Sequence, residues 1–342
     1  MPELNKTSPG NNLARKAPGS KAIARNRKGR RTPFIIASVV IVLILIIVGV
    51  SLYINAAPFR RIIITVDDTS INMDYFLKRT RIAGADAMAM LETLTNELLI
   101  KVAAPRYVAE VTPEDIDQAL RRIASGESET ISESEFKEWY RQLLNEIDIS
   151  DSEYREMIAT SLLAARLQEY LAERVPTVAE QVHLHSVVLS TEEVEKIWEK
   201  EDAGEDVDEF ISEIWQNKQS EGTVADIGWL PRGVLVYGFD DIVFNLTIGD
   251  VSEPLSYTPP VSDPTSTETQ TVYYLLMVSE KADAREIDEE PLQALKAMAL
   301  DDWLSEEIKS PEHKIGWTFN SEIYAWINWQ LAKRSGKTDQ QQ

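Results

Sequence analysis

The sequence predicts an α+β protein carried behind one membrane-spanning helix, and three features lead there. Phe34 to Ile54 runs 21 residues without a charge. Apolar residues recur at helical spacing through 62–175 and again after 285. Between those regions, around 182–189 and 272–278, the pattern changes to alternating β-branched and apolar residues, the period of a strand.

Composition narrows the possible functions. The chain has 342 residues, room for about two domains by the usual length prior. It has no cysteine, so disulfides, thiolate metal ligands and a lipid-modified Cys are all unavailable. The three histidines, His183, His185 and His313, argue against a structural zinc site in that company. The net charge is -21, but residues 1–33 hold nine Lys or Arg and one Glu. By difference the remainder carries -29. An acidic body lacks the basic footprint that nucleic acid requires, and its plainest role is solubility.

In chain order, residues 1–33 are polar, basic and rich in Gly and Pro, the composition of a disordered tail. Residues 34–54 are long enough to cross a bilayer, which takes about 20 residues. They exceed the apolar core of a signal peptide, about 7–15 residues. The basic flank sets the N-terminus in the cytoplasm and everything after Asn55 outside. Cleavage near Asn55-Ala56-Ala57 is the competing reading.

Ile62 to Val66 reads as a strand, Asp67-Asp68 as a tight turn and Ser70 to Asn72 as a short return. Asn72 or Asp74 caps a helix beginning near Tyr75. Met88 to Val102 is an amphipathic helix. Thr112-Pro113-Glu114-Asp115 is a strong helix start, with Thr as N-cap, Pro at the first helical position and acids in the first turn. After a polar linker, Ser125 to Ser134, helices follow at Phe136–Leu144 and Ser152–Val175, the second starting at Asp151 or Ser152.

A second domain is expected over 178–283. Val182 to Leu189 alternates as a strand, Thr191 caps a helix through Trp198, and Val207 to Ile214 forms another. Asp226 and Gly228 read as a turn and Pro231-Arg232-Gly233 as a second. A short amphipathic helix follows at Phe239–Phe244. Val251 to Leu255 reads as a strand that Pro254 confines to an edge or end. Ser256 to Thr271 is a Pro/Ser/Thr-rich loop, and Val272 to Val278 closes the domain as a strand. Helices are expected at Glu289–Ile308 and Phe319–Leu331, with a polar tail from Ala332. Trp303, Trp317, Trp326 and Trp329 are too apolar to leave in water. The 285–333 segment is therefore expected to pack back on the 62–175 helices, leaving the second domain as an insert.

The order of pieces in 226–255 resembles the core of the parvulin-type peptidyl-prolyl isomerases. The matching text is Ala225-Asp226-Ile227-Gly228-Trp229, Arg232-Gly233, Leu235, Phe239-Asp240 and Gly249 to Leu255. Upstream, 62–175 is similar to the N-terminal domain of SurA- and PrsA-like foldases. The likeness rests on the Val66–Phe76 opening, the Leu-spaced helix and the Val-Thr-Pro-Glu-Asp-Ile start at Val111.

The resemblance implies an activity, rotation about X-Pro bonds. The uncatalysed barrier is about 18–20 kcal/mol, and no bond is made or broken, so no cofactor, metal or nucleophile is needed. A dry pocket and hydrogen bonds that favour the twisted imide suffice. It implies Leu235, Phe239, Phe244 and Trp229 as substrate-binding residues, with Leu235 at the usual Met. His185 falls on the first active-site histidine. Tyr274 stands where a second His is usual, and Asn217 near the usual Asp or Cys. Strand alternation places Tyr274 beside His185. The implied partners are unfolded or newly exported polypeptides containing X-Pro bonds, and the implied protein is a single-pass, membrane-anchored foldase. A non-catalytic chaperone with a degenerate parvulin domain, or an envelope scaffold, are the alternatives.

Overall fold

The structure, a computed structural model, describes residues 32–126, 130–235, 238–258 and 271–338. The basic tail expected over 1–33 lies almost wholly outside the described residues, as does most of the loop expected over 256–271. The chain divides into two units, Met1–Phe59 and Arg60–Gln342.

The first unit contains helix α1, Thr32–Ala56, 25 residues long. Among residues whose side chains are described, no helix is long and apolar enough to cross a membrane. In α1 those residues begin only at Ile41. Ile41 to Val48 are all about half exposed within this unit.

In the second unit, β1 (Ile62–Val66) and β2 (Thr69–Asn72) form an antiparallel hairpin. Its turn holds Asp67 at φ 51°, a left-handed conformation that Asp tolerates better than most residues. Asn72 caps α2 (Met73–Ala83), its side chain accepting from the Tyr75 N–H. Helices α3 (Ala87–Ala103), α4 (Pro113–Ser125), α5 (Glu133–Ile147) and α6 (Asp151–Ala172) follow. Thr112, Ser132 and Ser150 open the last three with reciprocal capping boxes. Each box satisfies two N–H groups that the first turn leaves orphaned. The cap of α6 is thus Ser150, one residue before the expected start, because only Ser150 has an acid three residues on, at Glu153. Phe76, Met90, Leu94, Leu99 and Leu167 are completely or almost completely buried here.

The second sheet is built from β3 (Val178–Leu189), β4 (Ala225–Pro231), β5 (Leu255–Tyr257) and β6 (Val272–Glu286), in the antiparallel order β4-β3-β6-β5. Helices α7 (Thr191–Asp202) and α8 (Asp208–Glu221) intervene between β3 and β4, and α9 (Phe239–Asn245) follows β4. Three sequence expectations change here. Asp226 and Gly228 lie within β4 and not in a turn. The cap of α7 is Ser190 with Glu193, not Thr191. Val251 makes one isolated bridge to Met277, and the edge strand begins only after Pro254, which lacks the N–H a ladder needs.

After β6 come α10 (Glu289–Lys309), β7 (Ile315–Trp317) and α11 (Ser321–Thr338). The three-residue β7 was not legible as a strand. It pairs antiparallel with β1, Ile64 opposite Trp317, giving a three-stranded sheet β2-β1-β7. Helix α10 packs on α6 and α3, and α11 on α2 and α3. Trp317 stays about half exposed, yet its indole N–H donates to Thr95 Oγ1 at 3.0 Å. Buried His313 lies between two carboxylates, Nδ1 at 2.8 Å from Asp67 and Nε2 at 3.1 Å from Glu307. The Lys314 N–H and His313 together hold the Asp67 carboxyl below its usual range. These contacts tie the β1–β2 turn to the segment before β7.

Candidate functional site

Strand β3 is the axis of the second sheet, and its alternation separates two surfaces. Val182 and Leu184 point to one face. They meet Leu230 of β4, Leu276 and Val278 of β6, and Val243 and Phe244 of α9 in a buried apolar cluster. Val187 and Leu189 point to the other face and pack with Leu275 against Val194 and Ile197 of α7 and Ile211, Ile214 and Trp215 of α8.

On the α9 face the buried cluster is bordered by partly buried Leu235, Phe239, Leu255 and Tyr274, so apolar surface remains open to solvent beside a dry core. Arg232 lies over the Phe244 ring at 4.1 Å from its centroid. The Lys281 ammonium donates to the Phe244 carbonyl at 2.6 Å, fixing the end of α9 to β6. Asp240, in the first turn of α9, accepts from the Gly233 N–H at 3.0 Å. Burial lifts the Asp240 carboxyl above its ordinary value, against the opposing pull of that N–H and of Arg232. Nearby, a cavity of about 580 Å³ is lined by Ile211 and Ser212 of α8, Ile242 and Leu246 of α9, and the 249–253 turn.

Two bulges re-aim side chains beside the histidines. Between β3 and β4 the register shifts, so that Leu184 opposes Gly228 while His185 opposes Asp226. Gly228 has φ 88°, a region that disfavours any side chain. Its N–H donates to Asp226 Oδ1 at 3.0 Å. Strict alternation from Trp229 would send Asp226 to the α9 face; the extra residue, Ile227, turns it to the histidine side. A second shift, between β3 and β6, leaves Ser279 as the extra residue opposite His183 and Leu184.

The result is a closed polar group. Ser279 Oγ lies 3.0 Å from His183 Nδ1 and 3.1 Å from His185 Nε2. Asp226 Oδ1 lies 3.0 Å from His183 Nε2 and 3.9 Å from His185 Nδ1. Trp229 stacks on His183, centroids 5.4 Å apart and 14° from parallel, with Arg285 over the indole at 5.0 Å.

The seven residues singled out from the sequence therefore do not form one site. Leu235, Phe239, Phe244 and Tyr274 share the apolar wall. His185 and Trp229 lie on the opposite face of the sheet. Tyr274 opposes Val188, and His185 opposes Met277, so the expected Tyr274–His185 pair is not formed. Three residues along a strand is about 10 Å, and the parity is opposite as well. The bulge at Ser279 is not what separates them; the register of the closing strand is. Asn217 sits exposed on α8, and the carboxylate beside the imidazoles is that of Asp226. Asp226, Ser279 and His183 were not among the expected site residues, although His183 shares the parity of His185 and Asp226 lies in the matching text. The His-x-His spacing on a strand was the available signal, since it puts both rings on one face.

The second sheet thus has four antiparallel strands with paired helices on one face and a short helix on the other, and in sequence the chain is similar to PrsA foldases. Curated relatives make the likeness specific. The chain is similar to foldase protein PrsA of Halalkalibacterium halodurans, 24% identical over 216 residues, covering 60% of this chain and 61% of that protein. It is likewise similar to foldase protein PrsA of Geobacillus kaustophilus, 24% identical over 215 residues, covering 59% and 65%. The chain thus spans less than two thirds of the length of these relatives. No family model matches it.

Among solved structures, a peptidylprolyl isomerase (PrsA) from Bacillus anthracis aligns with 72% of this chain and 97% of its own, at 16% identity and a TM-score of 0.29. A SurA-like chaperone of Campylobacter jejuni aligns with 76% and 99%, at 13% identity and a TM-score of 0.27.

Proposed function

We propose that the protein is a membrane-anchored extracytoplasmic foldase that holds unfolded segments and isomerises X-Pro bonds at the wall of Leu235, Phe239, Phe244 and Tyr274. The observation carrying this reading is the partly open apolar border around the buried Val182–Leu184–Leu276–Val278 cluster. A proline ring set against Phe239 and Leu235 would leave water on that side. Removing water weakens solvation of the planar, charge-separated imide, which lowers the cost of twisting it. The Tyr274 hydroxyl would supply a hydrogen bond that can be given or accepted. His185, on the other face, has no part in this step.

The helical region 62–175, completed by 285–333 and interrupted by the 178–283 insert, would hold the unfolded client, and α1 would anchor the whole. At about 1.5 Å per residue, the 25 residues of α1 span about 37 Å, against a hydrocarbon core of about 30 Å. The basic flank before it would remain in the cytoplasm.

The test is exchange NMR on an X-Pro peptide with the full-length protein in detergent. Wild type should accelerate isomerisation, and Phe239→Ala should remove most of that acceleration. The separation of the histidines from the wall favours a second reading, a chaperone that binds at the wall without catalysis. No acceleration by wild type, together with suppression of client aggregation that Phe239→Ala weakens, would decide for that one.

A further inference from the structure

We propose that His183, His185 and Asp226 form a binding site for a divalent transition metal of the zinc class. One ligand atom from each of the three residues lies within 4.8 Å of the others, and the nitrogens turned toward Asp226 are His183 Nε2 and His185 Nδ1. Tetrahedral zinc, with bonds of about 2.0–2.2 Å, sets its ligand atoms about 3.4 Å apart. The separations of 3.0 and 3.9 Å from Asp226 Oδ1 straddle that value, so small side-chain adjustments admit an ion. Two imidazoles and a carboxylate are the donor set that zinc, cobalt and nickel accept, with the fourth position left to water or an outside ligand.

The hydrogen bonds behind the rings fit the same occupant. A metal-bound imidazole carries its proton on the nitrogen turned away from the ion, and that N–H needs an acceptor. Those nitrogens are His183 Nδ1 and His185 Nε2, and both face Ser279 Oγ. The hydroxyl oxygen has two lone pairs for the two N–H groups. Its own proton can go to the His183 carbonyl, 3.4 Å away. Asp226 is steadied in turn by the Gly228 N–H. Trp229 stacked on His183 limits rotation of that ring.

A bulge in β4 is needed to bring Asp226 to this face, and a second in β6 leaves Ser279 unpaired, free to face both rings. Bulges occur preferentially where a strand must re-aim a side chain at a functional site. The site is partly exposed, the histidine side chains about one fifth accessible, so an ion can enter from solvent. It is also separate from the apolar wall, being on the other face of the sheet.

The experiment is equilibrium binding of Zn²⁺ alone to untagged full-length protein in detergent, with Co²⁺ absorption reporting the coordination. Expected is one saturable Zn²⁺ per chain and Co²⁺ bands of tetrahedral intensity. His183→Ala and His185→Ala should each abolish both signals. Asp226→Asn, which keeps a hydrogen-bond acceptor, should weaken binding at least about tenfold. Ser279→Ala should weaken it about 10–100-fold, the usual loss when a partner behind a ligand is removed. Circular dichroism melts of each variant separate lost binding from lost folding. Absence of saturable binding in wild type, or equal binding by a folded His183→Ala/His185→Ala double variant, would overturn the proposal.

Discussion

Removing Glu97 should destabilise the helical body by about 3 kcal/mol, and removing Arg79 with it should restore most of that loss. Arg79 on α2 is 8% exposed and meets Glu97 on α3 through two parallel bonds, 2.7 and 2.6 Å. It also donates to the Tyr75 hydroxyl at 3.1 Å. Burial works against the Arg79 charge, but the Glu97 bond more than offsets it and leaves its pKa above the usual value.

Glu97→Ala strands a guanidinium in the interior, for which the penalty is about 3–5 kcal/mol. The Glu97 side chain keeps 25% of its exposure, so some water can reach the gap, and the lower end of that range applies. Arg79→Met/Glu97→Leu removes both charges and keeps volume, a change that is often neutral or favourable. The assay is urea unfolding of the full-length chain in detergent, followed by far-UV circular dichroism. With a slope of about 3 kcal/mol per molar urea, Glu97→Ala should move the midpoint down by about 1 M. A Glu97→Ala variant within about 1 kcal/mol of wild type, or a double variant as unstable as Glu97→Ala, would refute the reasoning.

Asp240→Asn should raise Tm at neutral pH. The folded pKa of Asp240 lies above its unfolded value of 3.8, so its contribution is most favourable below that value and is lost as pH rises through the folded pKa. The gain should therefore shrink in a melt near pH 3; an equal gain at both pH values would sever it from ionisation. Tyr274→Phe should slow isomerisation by about 0.5–1.5 kcal/mol, one hydrogen bond's worth, and His185→Ala should slow it less than Phe239→Ala; the reverse ranking would put catalysis on the histidine face. His313→Ala should loosen the β1–β7 contact and raise protease sensitivity near Asp67, measured by limited proteolysis and mass mapping; an unchanged digestion pattern would contradict this. Carbonate washing of membranes should leave the protein in the pellet, and its release as a soluble form starting near Ala57 would show cleavage instead.

The helical elements were legible because their signals are local. Thr112-Pro113-Glu114-Asp115 marks a start without reference to anything outside four residues, and the spacing of Leu94 and Leu98 marks a buried stripe. β7 carried no such signal, since Ile315-Gly316-Trp317 is too short for periodicity and exists as a strand only through its pairing with β1. The site failed for a related reason. Alternation was applied correctly within 272–278, but the pairing of Tyr274 with His185 needed the register between β3 and β6, which sets Tyr274 opposite Val188. A single extra residue such as Ile227 reverses which face Asp226 joins, and nothing local in Asp226-Ile227-Gly228 distinguishes a bulge from a turn. Leu235, Phe239 and Phe244 were legible together because they lie within ten residues of one another around one short helix.

The pairing of β1 with β7 imposes an order in time. Thr65 is made early and its partner Gly316 only 251 positions later. Until the C-terminal segment emerges, the strand holding Ile63, Ile64 and Val66 has one open edge, and such edges attract foreign strands. Early closure of the insert, whose ends meet at Val178 and Glu286, shortens the open loop to about 140 residues and saves only about 0.5 kcal/mol. The insert thus does little to hasten the last step. A nascent chain stopped before Ile315 should carry the very kind of exposed segment that the finished protein is proposed to shelter, so each newborn copy passes through a stage as a potential client of the copies completed before it. Pull-down of such a stalled chain by the completed protein would measure this, and no capture above that of a chain stopped after Thr318 would count against it.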